Sequence, residues 1–183
     1  MNTIGHLRPI EETELELMLA WRNAPGVRQN MYTRHEISRE EHLSWWVRTR
    51  ELASQQYFMY EYRGQASGIV AFTGIDRGSL NCSWAFYASP DAPRGTGSRM
   101  EFLALEHVFT NMGLHKLYCE VLAFNAAVIK LHQKFGFEIE GVFKEHHRTE
   151  DAYTDIYRFG LLSRTWQMKR EELLLKVIKT TES

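Results

Sequence analysis

A glycine-rich turn stands immediately before a strongly apolar segment and has the composition of an anion site: Arg94-Gly95-Thr96-Gly97-Ser98. Glycines let backbone N–H groups approach a phosphate closely, and a helix N-terminus adds a partial positive charge. The Arg94 guanidinium can pair with a phosphate oxygen through two hydrogen bonds. The same run is also compatible with an ordinary glycine-containing helix start. As a binding site, it would hold a phosphate or pyrophosphate.

Three polar side chains follow next to apolar residues, namely Glu120, Asn125 and His132. Glu120 lies within a predicted strand, where an unpaired buried carboxylate is very costly. It therefore forms a cross-strand ion pair or contacts a substrate amine or hydroxyl. Asn125 has the residue type of a helix N-cap. His132, flanked by Leu131 and Phe135, is either a structural histidine or a proton carrier.

The segments around these residues predict the order strand, helix, strand, helix. The aromatic-rich run Asn81–Tyr87 predicts a buried strand, and a helix is expected from Ser98 to Asn111. Lys116–Leu122 predicts the next strand, and a helix capped by Asn125 ends at Gly136. The crossover between the two strands must be right-handed, and the strands are parallel if they adjoin.

The flanking segments predict further strands and helices on both sides of this unit. Strands are expected at Thr3–Pro9, Tyr57–Tyr62, Ala66–Thr73, Gly141–His146 and Tyr153–Leu161, and helices after capping boxes at Thr13–Glu16 and Ser38–Glu41 and over Ser163–Ile178. The result is an α+β (mixed α/β) chain with a mainly antiparallel sheet.

This order of elements resembles the GNAT superfamily of N-acetyltransferases, which bind acetyl-CoA. The order is strand, phosphate loop, helix, strand, Asn-capped helix and Gly-Phe. The resemblance implies one domain over residues 1–183, with an acetyl-CoA core at about 81–137 and an acceptor-specificity segment at about 11–52. The implied GNAT acyl-CoA N-acyltransferase fold has a mostly antiparallel seven-stranded sheet, helices on both faces and one parallel, splayed strand pair. Acetyl-CoA would be a co-substrate, and no metal is expected.

The chain departs from the family pattern at two positions. The pyrophosphate loop Gln/Arg-x-x-Gly-x-Gly/Ala falls on 92–97, so Ala92 replaces its first side chain. A tyrosine commonly stands seven residues after the family asparagine, and here that position is His132. Direct transfer from a thioester to an amine needs an N–H donor for the oxyanion, an acid for the thiolate and a route for the amine proton.

The resemblance assigns these roles residue by residue. The implied catalytic residues are His132, Glu120 and Asn125. The implied acetyl-CoA contacts are Phe86, Tyr87, Arg94, Gly95, Thr96, Gly97, Ser98, Asn125 and Lys130. Lys130 lies four residues before Lys134, and the pair could also be an ordinary solvated helix face.

The N-terminal third is rich in aromatic rings and arginines. Some of its tryptophans are expected to bury on the sheet, but rings and arginines together also suit a nucleotide sugar. The chain resembles the N-acetyltransferases of pseudaminic acid biosynthesis in a set of short runs. These are WRN, VR, M, I, EH and WW, joined to AFN, H, KFGF and G. That family acetylates the 4-amino group of UDP-4-amino-4,6-dideoxy-N-acetyl-β-L-altrosamine, on the path to a sugar that modifies flagellin. The implied substrate contacts are Arg22, Arg28, Met31, Tyr32, Trp45, Trp84 and Glu120.

Two other functions stay open at this point. A ribosomal-protein or peptide N-terminal alanine acetyltransferase shares the RGxG loop and the Asn-to-Gly-Phe segment, but a peptide acceptor favours an acidic, open groove. A non-catalytic acyl-CoA-binding module is the second alternative. An intact Asn125 and an ionisable His132 argue against it.

The composition of the chain limits the classes of partner that it is expected to bind. The chain has 183 residues, 44% of them hydrophobic, and a net charge of −1, so it lacks the basic field of a nucleic-acid-binding protein. No apolar run approaches the ~20 residues that span a bilayer. We therefore expect small-molecule substrates, no nucleic acid, no membrane contact and a cytoplasmic location. Cys82 and Cys119 are expected to be buried, inert thiols. The oligomeric state stays open, with a homodimer as one candidate.

Overall fold

The computed structural model describes residues 3–150 and 152–179. The strands are β1 (His6–Pro9), β2 (Gln56–Tyr62), β3 (Gln65–Asp76), β4 (Asn81–Ala88), β5 (Lys116–Leu122), β6 (Glu138–Arg148) and β7 (Tyr153–Leu162). The helices are α1 (Leu15–Asn23), α2 (Pro25–Arg28), α3 (Arg39–Thr49), α4 (Thr96–Glu106), α5 (Ala126–Phe135) and α6 (Ser163–Lys179). A short 3-10 turn at Glu12–Glu14 precedes α1, and α4 continues into a π-helical turn at His107–Asn111.

The seven strands form one sheet in the order β1-β2-β3-β4-β5-β7-β6. Every neighbouring pair is antiparallel except β4 and β5. These two strands are in register only from Asn81 with Lys116 to Ser83 with Tyr118, although β4 continues to Ala88. They therefore diverge after Ser83, and the facing backbone of both strands is left without a partner strand. The predicted fold, with one parallel splayed pair, is confirmed.

Helices cover both faces of the sheet because successive strand residues point to opposite sides. Tyr60 and Val70 face a large apolar core that contains residues of α4, α5 and α6. Their strand neighbours Met59 and Ile69 face a smaller cluster with Met18 and Trp21 of α1. Helices α4, α5 and α6 therefore cover one face of the sheet, and α1 covers the other.

The start of the first helix differs from the prediction. The Glu14 carboxylate accepts the Glu11 backbone N–H at 2.9 Å and pairs with the Arg8 guanidinium at 2.6 Å. These contacts place the helix start at Glu11–Glu14, so the capping box predicted at Thr13–Glu16 is wrong. The Ser38 cap of α3 is confirmed, since its hydroxyl accepts the Glu41 N–H at 3.1 Å.

Two further boundaries depend on backbone conformation. Helix α2 was not predicted, and it begins at Pro25, a residue suited to the first helical position. Helix α4 begins at Thr96 instead of Ser98, because Gly95 adopts the left-handed conformation (φ 84°) and serves as its N-cap. The second half of the glycine-rich turn is therefore the first turn of the helix. Within the described residues, no helix is long and apolar enough to cross a membrane.

Candidate active site

A cavity of about 480 Å³ opens where β4 and β5 diverge. Its walls come from the ends of these strands, the start of α5 and the segment around α2. Among its lining residues are Met31, Tyr32, Trp84, Phe86, Tyr87, Cys119, Glu120, Asn125 and His132. The structure thus brings the three predicted catalytic residues together with side chains from both predicted binding segments.

The glycine-rich turn keeps free backbone donors at the start of α4. The Thr96 N–H donates to the Pro93 carbonyl at 3.1 Å. The N–H groups of Gly97 and Ser98 have no acceptor within residues 3–150 and 152–179. Arg94 is exposed beside them. Two unpaired N–H groups at a helix N-terminus, next to an exposed guanidinium, fit a pyrophosphate.

Arg99, which the sequence analysis missed, anchors this turn from behind. Its side chain is only 2% exposed, and its Nε donates to the Tyr60 hydroxyl at 3.0 Å. Its Nη2 donates to the Thr96 hydroxyl at 2.9 Å, and the guanidinium lies 4.2 Å from the centre of the Tyr62 ring. No carboxylate in the described part of the chain pairs with it. A buried cation therefore lies behind the predicted phosphate site.

His132 is buried in a ring of aromatic side chains beside the cavity. The ring centroids of Trp84, Phe86, Phe137 and Phe159 lie 5.0–6.1 Å from its own. Its Nδ1 lies 2.9 Å from Oε1 of Glu101, a carboxylate of α4 with 0% exposure. Since a carboxylate can only accept, His132 donates in this bond when Glu101 is ionised.

The electrostatics of this pair favour retention of a proton. Burial lowers the pKa of His132, but the Glu101 charge and a hydrogen bond with Cys119 outweigh it and raise the pKa to about 10. Burial also raises the pKa of Glu101, against the opposing effect of His132. Both directions mean that the pair keeps one proton well above neutral pH, and the Glu101 contact stabilises it on the imidazole.

Glu120 forms the cross-strand ion pair that was one of its two alternatives, and its contact with a substrate stays a prediction. Its Oε1 accepts Nη1 of Arg158, its register partner on β7, at 3.0 Å. Its Oε2 accepts the Tyr32 hydroxyl at 2.9 Å, while the residue also lines the cavity. Burial and the Glu120 contact raise the pKa of Tyr32, so its hydroxyl stays protonated. The carboxylate is thus held in place at the cavity wall.

A second cavity of about 390 Å³ lies on the α1 and α3 side of the sheet and shares Met31, Ala85 and Tyr87 with the first. Three of its lining side chains carry a buried polar atom without a partner in the described residues: Arg22 Nη1, His42 Nε2 and the Tyr87 hydroxyl. Burial lowers the pKa of Arg22 and raises the pKa of Tyr87.

The remaining predicted residues divide between the cavities and the surface. Trp45 lines the second cavity, where its ring stacks on His42 at 5.4 Å. Trp84 lines the first cavity and stacks on Phe86 at 5.0 Å on the α5 side, so its substrate contact stays a prediction. Arg28 lines neither cavity and pairs with Glu36 at 3.8 Å. Lys130 is exposed on α5 and lines neither cavity.

Glu101 and Arg99 were not predicted as site residues, and His42 was noted only as part of the run EH in the N-terminal third. The only sequence signal for Glu101 and Arg99 was a carboxylate and a guanidinium within the apolar segment that forms α4. Residue type alone does not indicate which groups these two side chains contact. Among the residues that the structure describes, no group of three or more His, Cys, Asp and Glu side chains could hold a metal ion.

Comparisons with known proteins agree with this geometry. The profile of the Acetyltransferase (GNAT) domain family matches residues 6–138. Acetyltransferase PseH of Campylobacter jejuni subsp. jejuni serotype O:23/36 (strain 81-176) is 30% identical over 139 residues, which are 76% of this chain and 86% of the relative. Spermidine N(1)-acetyltransferase of Escherichia coli (strain K12) is 27% identical over 106 residues, or 57% of each chain.

Solved structures show the same fold. A spermidine N-acetyltransferase from Vibrio cholerae in complex with CoA and spermine superposes with a TM-score of 0.84 and 21% identity, covering 91% of this chain and 99% of that one. Since the family profile covers most of the chain, this protein belongs to the GNAT acetyltransferase family and is an acetyl-CoA-dependent N-acetyltransferase.

Proposed function

We propose that the acceptor is a UDP-linked amino sugar, UDP-4-amino-4,6-dideoxy-N-acetyl-β-L-altrosamine, acetylated on its 4-amino group in pseudaminic acid biosynthesis. The observation that carries this proposal is the group of unpartnered polar atoms of Arg22, His42 and Tyr87 in the second cavity. Unpartnered buried polar groups are costly, so a cavity lined by three of them suits a polar ligand. The similarity to acetyltransferase PseH supports the same acceptor.

The parts of a nucleotide sugar match separate parts of the two cavities. A diphosphate needs a cation, which Arg22 supplies, and a hydrogen-bond donor, which Tyr87 can supply. Burial lowers the pKa of His42, so its neutral ring offers Nε2 as an acceptor for a hydroxyl or N–H group of the ligand. A flat base can pack against the ring of Trp45. The sugar would then extend past the shared residues into the first cavity, where its amine meets Glu120. This assignment keeps residues 11–52 as the acceptor segment and 81–137 as the acetyl-CoA core.

A polyamine acceptor fits these cavities less well. Spermidine is polycationic at neutral pH, and the half-buried Arg22 guanidinium with an unpaired nitrogen would repel it. An N-terminal peptide acceptor also presents a cationic amine and would favour an acidic groove. The second cavity is lined by two arginines, Arg22 and Arg48, against one carboxylate, Glu41, and this balance favours an anionic acceptor over both.

The chain's own groups suffice for direct transfer of the acetyl group. The Gly97 and Ser98 N–H groups and Arg94 would hold the CoA pyrophosphate, and the unpaired edge of β4 would bind the pantetheine and stabilise the oxyanion. The side-chain Oδ1 of Asn125 accepts the Val128 N–H at 3.4 Å, so the side-chain NH₂ group stays available for the pantetheine arm.

The reaction balances without a protein nucleophile. The acceptor nitrogen attacks the acetyl carbon, the C–N bond forms, and the C–S bond breaks with its electron pair left on sulfur. The thiolate takes a proton from His132, and the amine loses one to Glu120 or to water. The products are the N-acetyl sugar nucleotide and CoA.

An acceptor panel tests the proposal. Release of CoA from acetyl-CoA would be measured with UDP-4-amino-4,6-dideoxy-N-acetyl-β-L-altrosamine, spermidine and a peptide with N-terminal alanine. We expect the highest kcat/KM for the sugar nucleotide. A higher kcat/KM for spermidine or the peptide would overturn the proposal. The same amino sugar without UDP serves as the control, since it lacks the groups that Arg22 would bind.

A further inference from the structure

Glu101 is a fully buried carboxylate with a single hydrogen-bonding partner in the described residues, the imidazole of His132. Its Oε2 is buried and has no partner there. It lies on α4, which otherwise buries apolar side chains around this position, including Met100, Phe102 and Ala104. The α4 helix therefore contains an acid in contact with His132, and His132 in turn lines the cavity between β4 and β5.

Stability alone gives a poor account of this pair. Replacing a buried ion pair with apolar residues is often neutral or stabilising. A carboxylate oxygen left without a partner adds a desolvation penalty that a wholly apolar contact would avoid. The pair nevertheless lies against the first cavity, where the proposed function requires a proton donor.

We propose that Glu101 is the positioning residue for His132, fixing the imidazole through Nδ1 and holding its proton so that Nε2 can deliver one to the CoA sulfur. This inference rests on the proposed acid role of His132 in acetyl transfer. As the C–S bond breaks, its electron pair stays on sulfur, the Nε2–H bond breaks, and an S–H bond forms. His132 becomes neutral, Glu101 stays ionised, and the imidazole regains its proton from solvent.

The groups around His132 define the expected pH dependence. Glu101 of α4 and Cys119 of β5 are the titratable groups that act on it, and Lys134 of its own helix acts on Glu101. The other contacts are aromatic rings from β4, from β7 and from Phe137. Without the Glu101 charge, burial is the largest remaining effect and lowers the pKa of His132. Loss of the charge should therefore move the alkaline limb of kcat to lower pH.

The test is Glu101→Gln, which keeps the shape and one acceptor oxygen but removes the charge. We expect kcat near pH 8 to fall roughly 10- to 100-fold, because a histidine with a pKa at or below ~6.5 is largely neutral there. Near pH 5.5 the loss should be much smaller, and KM for acetyl-CoA should change little. The matched control is Glu106→Gln, an acid of the same helix that pairs with Arg170 at 2.7 Å. It should leave the pH profile unchanged.

An unshifted alkaline limb in folded Glu101→Gln would overturn the inference. A second measurement, in the wild-type protein without substrates, covers the case in which the variant fails to fold. NMR titration of the His132 imidazole should show a protonated ring beyond pH 8, and a ring that is neutral at pH 7.5 would equally overturn the proposal. Neither result depends on the sugar, because any amine that supports turnover can be used. An error in the proposed acceptor can therefore be distinguished from an error in the proposed role of Glu101.

Discussion

Arg22 combines an interior position with an incomplete set of hydrogen bonds. Its Nη2 donates to the Thr33 carbonyl at 3.4 Å, while Nη1 is buried without a partner in the described chain. A guanidinium in this state gains most from a bound anion, because the desolvation cost is already met in the free protein. Its contribution should therefore appear in acceptor binding and not in folding stability.

The first prediction is that Arg22→Met raises the acceptor KM roughly 10- to 100-fold, the effect of losing about 1.5–3 kcal/mol for hydrogen bonds to a charged group. KM for acetyl-CoA and the melting temperature should stay close to wild type. Steady-state kinetics and thermal unfolding check both. The control is Arg28→Met, a nearby arginine outside both cavities. An equal increase of the acceptor KM in both variants would show that the increase comes from the loss of positive charge in general and not from a contact with Arg22.

Cys119 has a different position from the one expected of an inert thiol. It is buried as expected, but it also lines the first cavity and helps to raise the pKa of His132, so a thiol lies close to the proposed thioester position. Transfer directly to an amine does not require it. Its contact with His132 instead helps to keep the imidazole protonated.

We therefore predict that Cys119→Ala keeps most of its kcat, with a small shift of the alkaline limb toward lower pH. Intact-protein mass spectrometry of the wild type after incubation with acetyl-CoA should show no acetyl adduct. An acetyl thioester on Cys119 that then passes to the amine would contradict direct transfer. Cys82, buried but outside both cavities, provides the control substitution.

At the scale of elements, the start of α4 depends on how closely two helices approach. A Cβ on Gly97 would lie 3.3 Å from Leu131 Cδ2 on α5, closer than most van der Waals contacts. Gly97 therefore allows the start of α4 and α5 to pack together, in addition to its proposed role of letting a phosphate approach. A bulky substitution would disturb both.

The corresponding prediction is that Gly97→Val weakens CoA binding and also lowers stability by about 1–3 kcal/mol, the usual cost of overpacking. Adding Leu131→Ala should restore part of the melting temperature without restoring CoA affinity, since the branched side chain still blocks the approach to the N–H groups. Calorimetry with CoA and thermal unfolding distinguish the two effects. Recovery of affinity in the double variant would mean that Gly97 serves helix packing alone.

Elements were largely predictable from local signals, and the exceptions have local causes. Asn125 and Gly136 delimit α5 as expected, because a side-chain cap and a left-handed glycine are encoded by single residues. The start of α1 was missed because Arg8, on a strand, pairs with Glu14. The Glu101–His132 pair was not predictable, since it joins two helices separated by a strand and a carboxylate pattern does not identify its partner.

At the scale of the whole molecule, the candidate site depends on an interruption in the sheet. β4 and β5 pair over only three positions and then separate, so the first cavity lies inside the sheet layer. Family resemblance predicted this splay, whereas strand composition alone does not set where pairing ends. The second cavity adjoins the first through the shared residues Met31, Ala85 and Tyr87, which would allow two large substrates to meet at one point.

The last prediction concerns how the two sites respond to ligand as parts of one folded unit. A ligand at 100 times its Kd stabilises the native state by about 2.7 kcal/mol. For a chain of this size, that corresponds to a rise in melting temperature of roughly 5–10 °C. CoA alone should give this rise in the wild type and in Arg22→Met, because Arg22 lies in the second cavity. Gly97→Val should show much less of it at the same CoA concentration. Loss of the shift in Arg22→Met would mean that the cavities are energetically one site, with CoA binding dependent on the α1 side of the sheet.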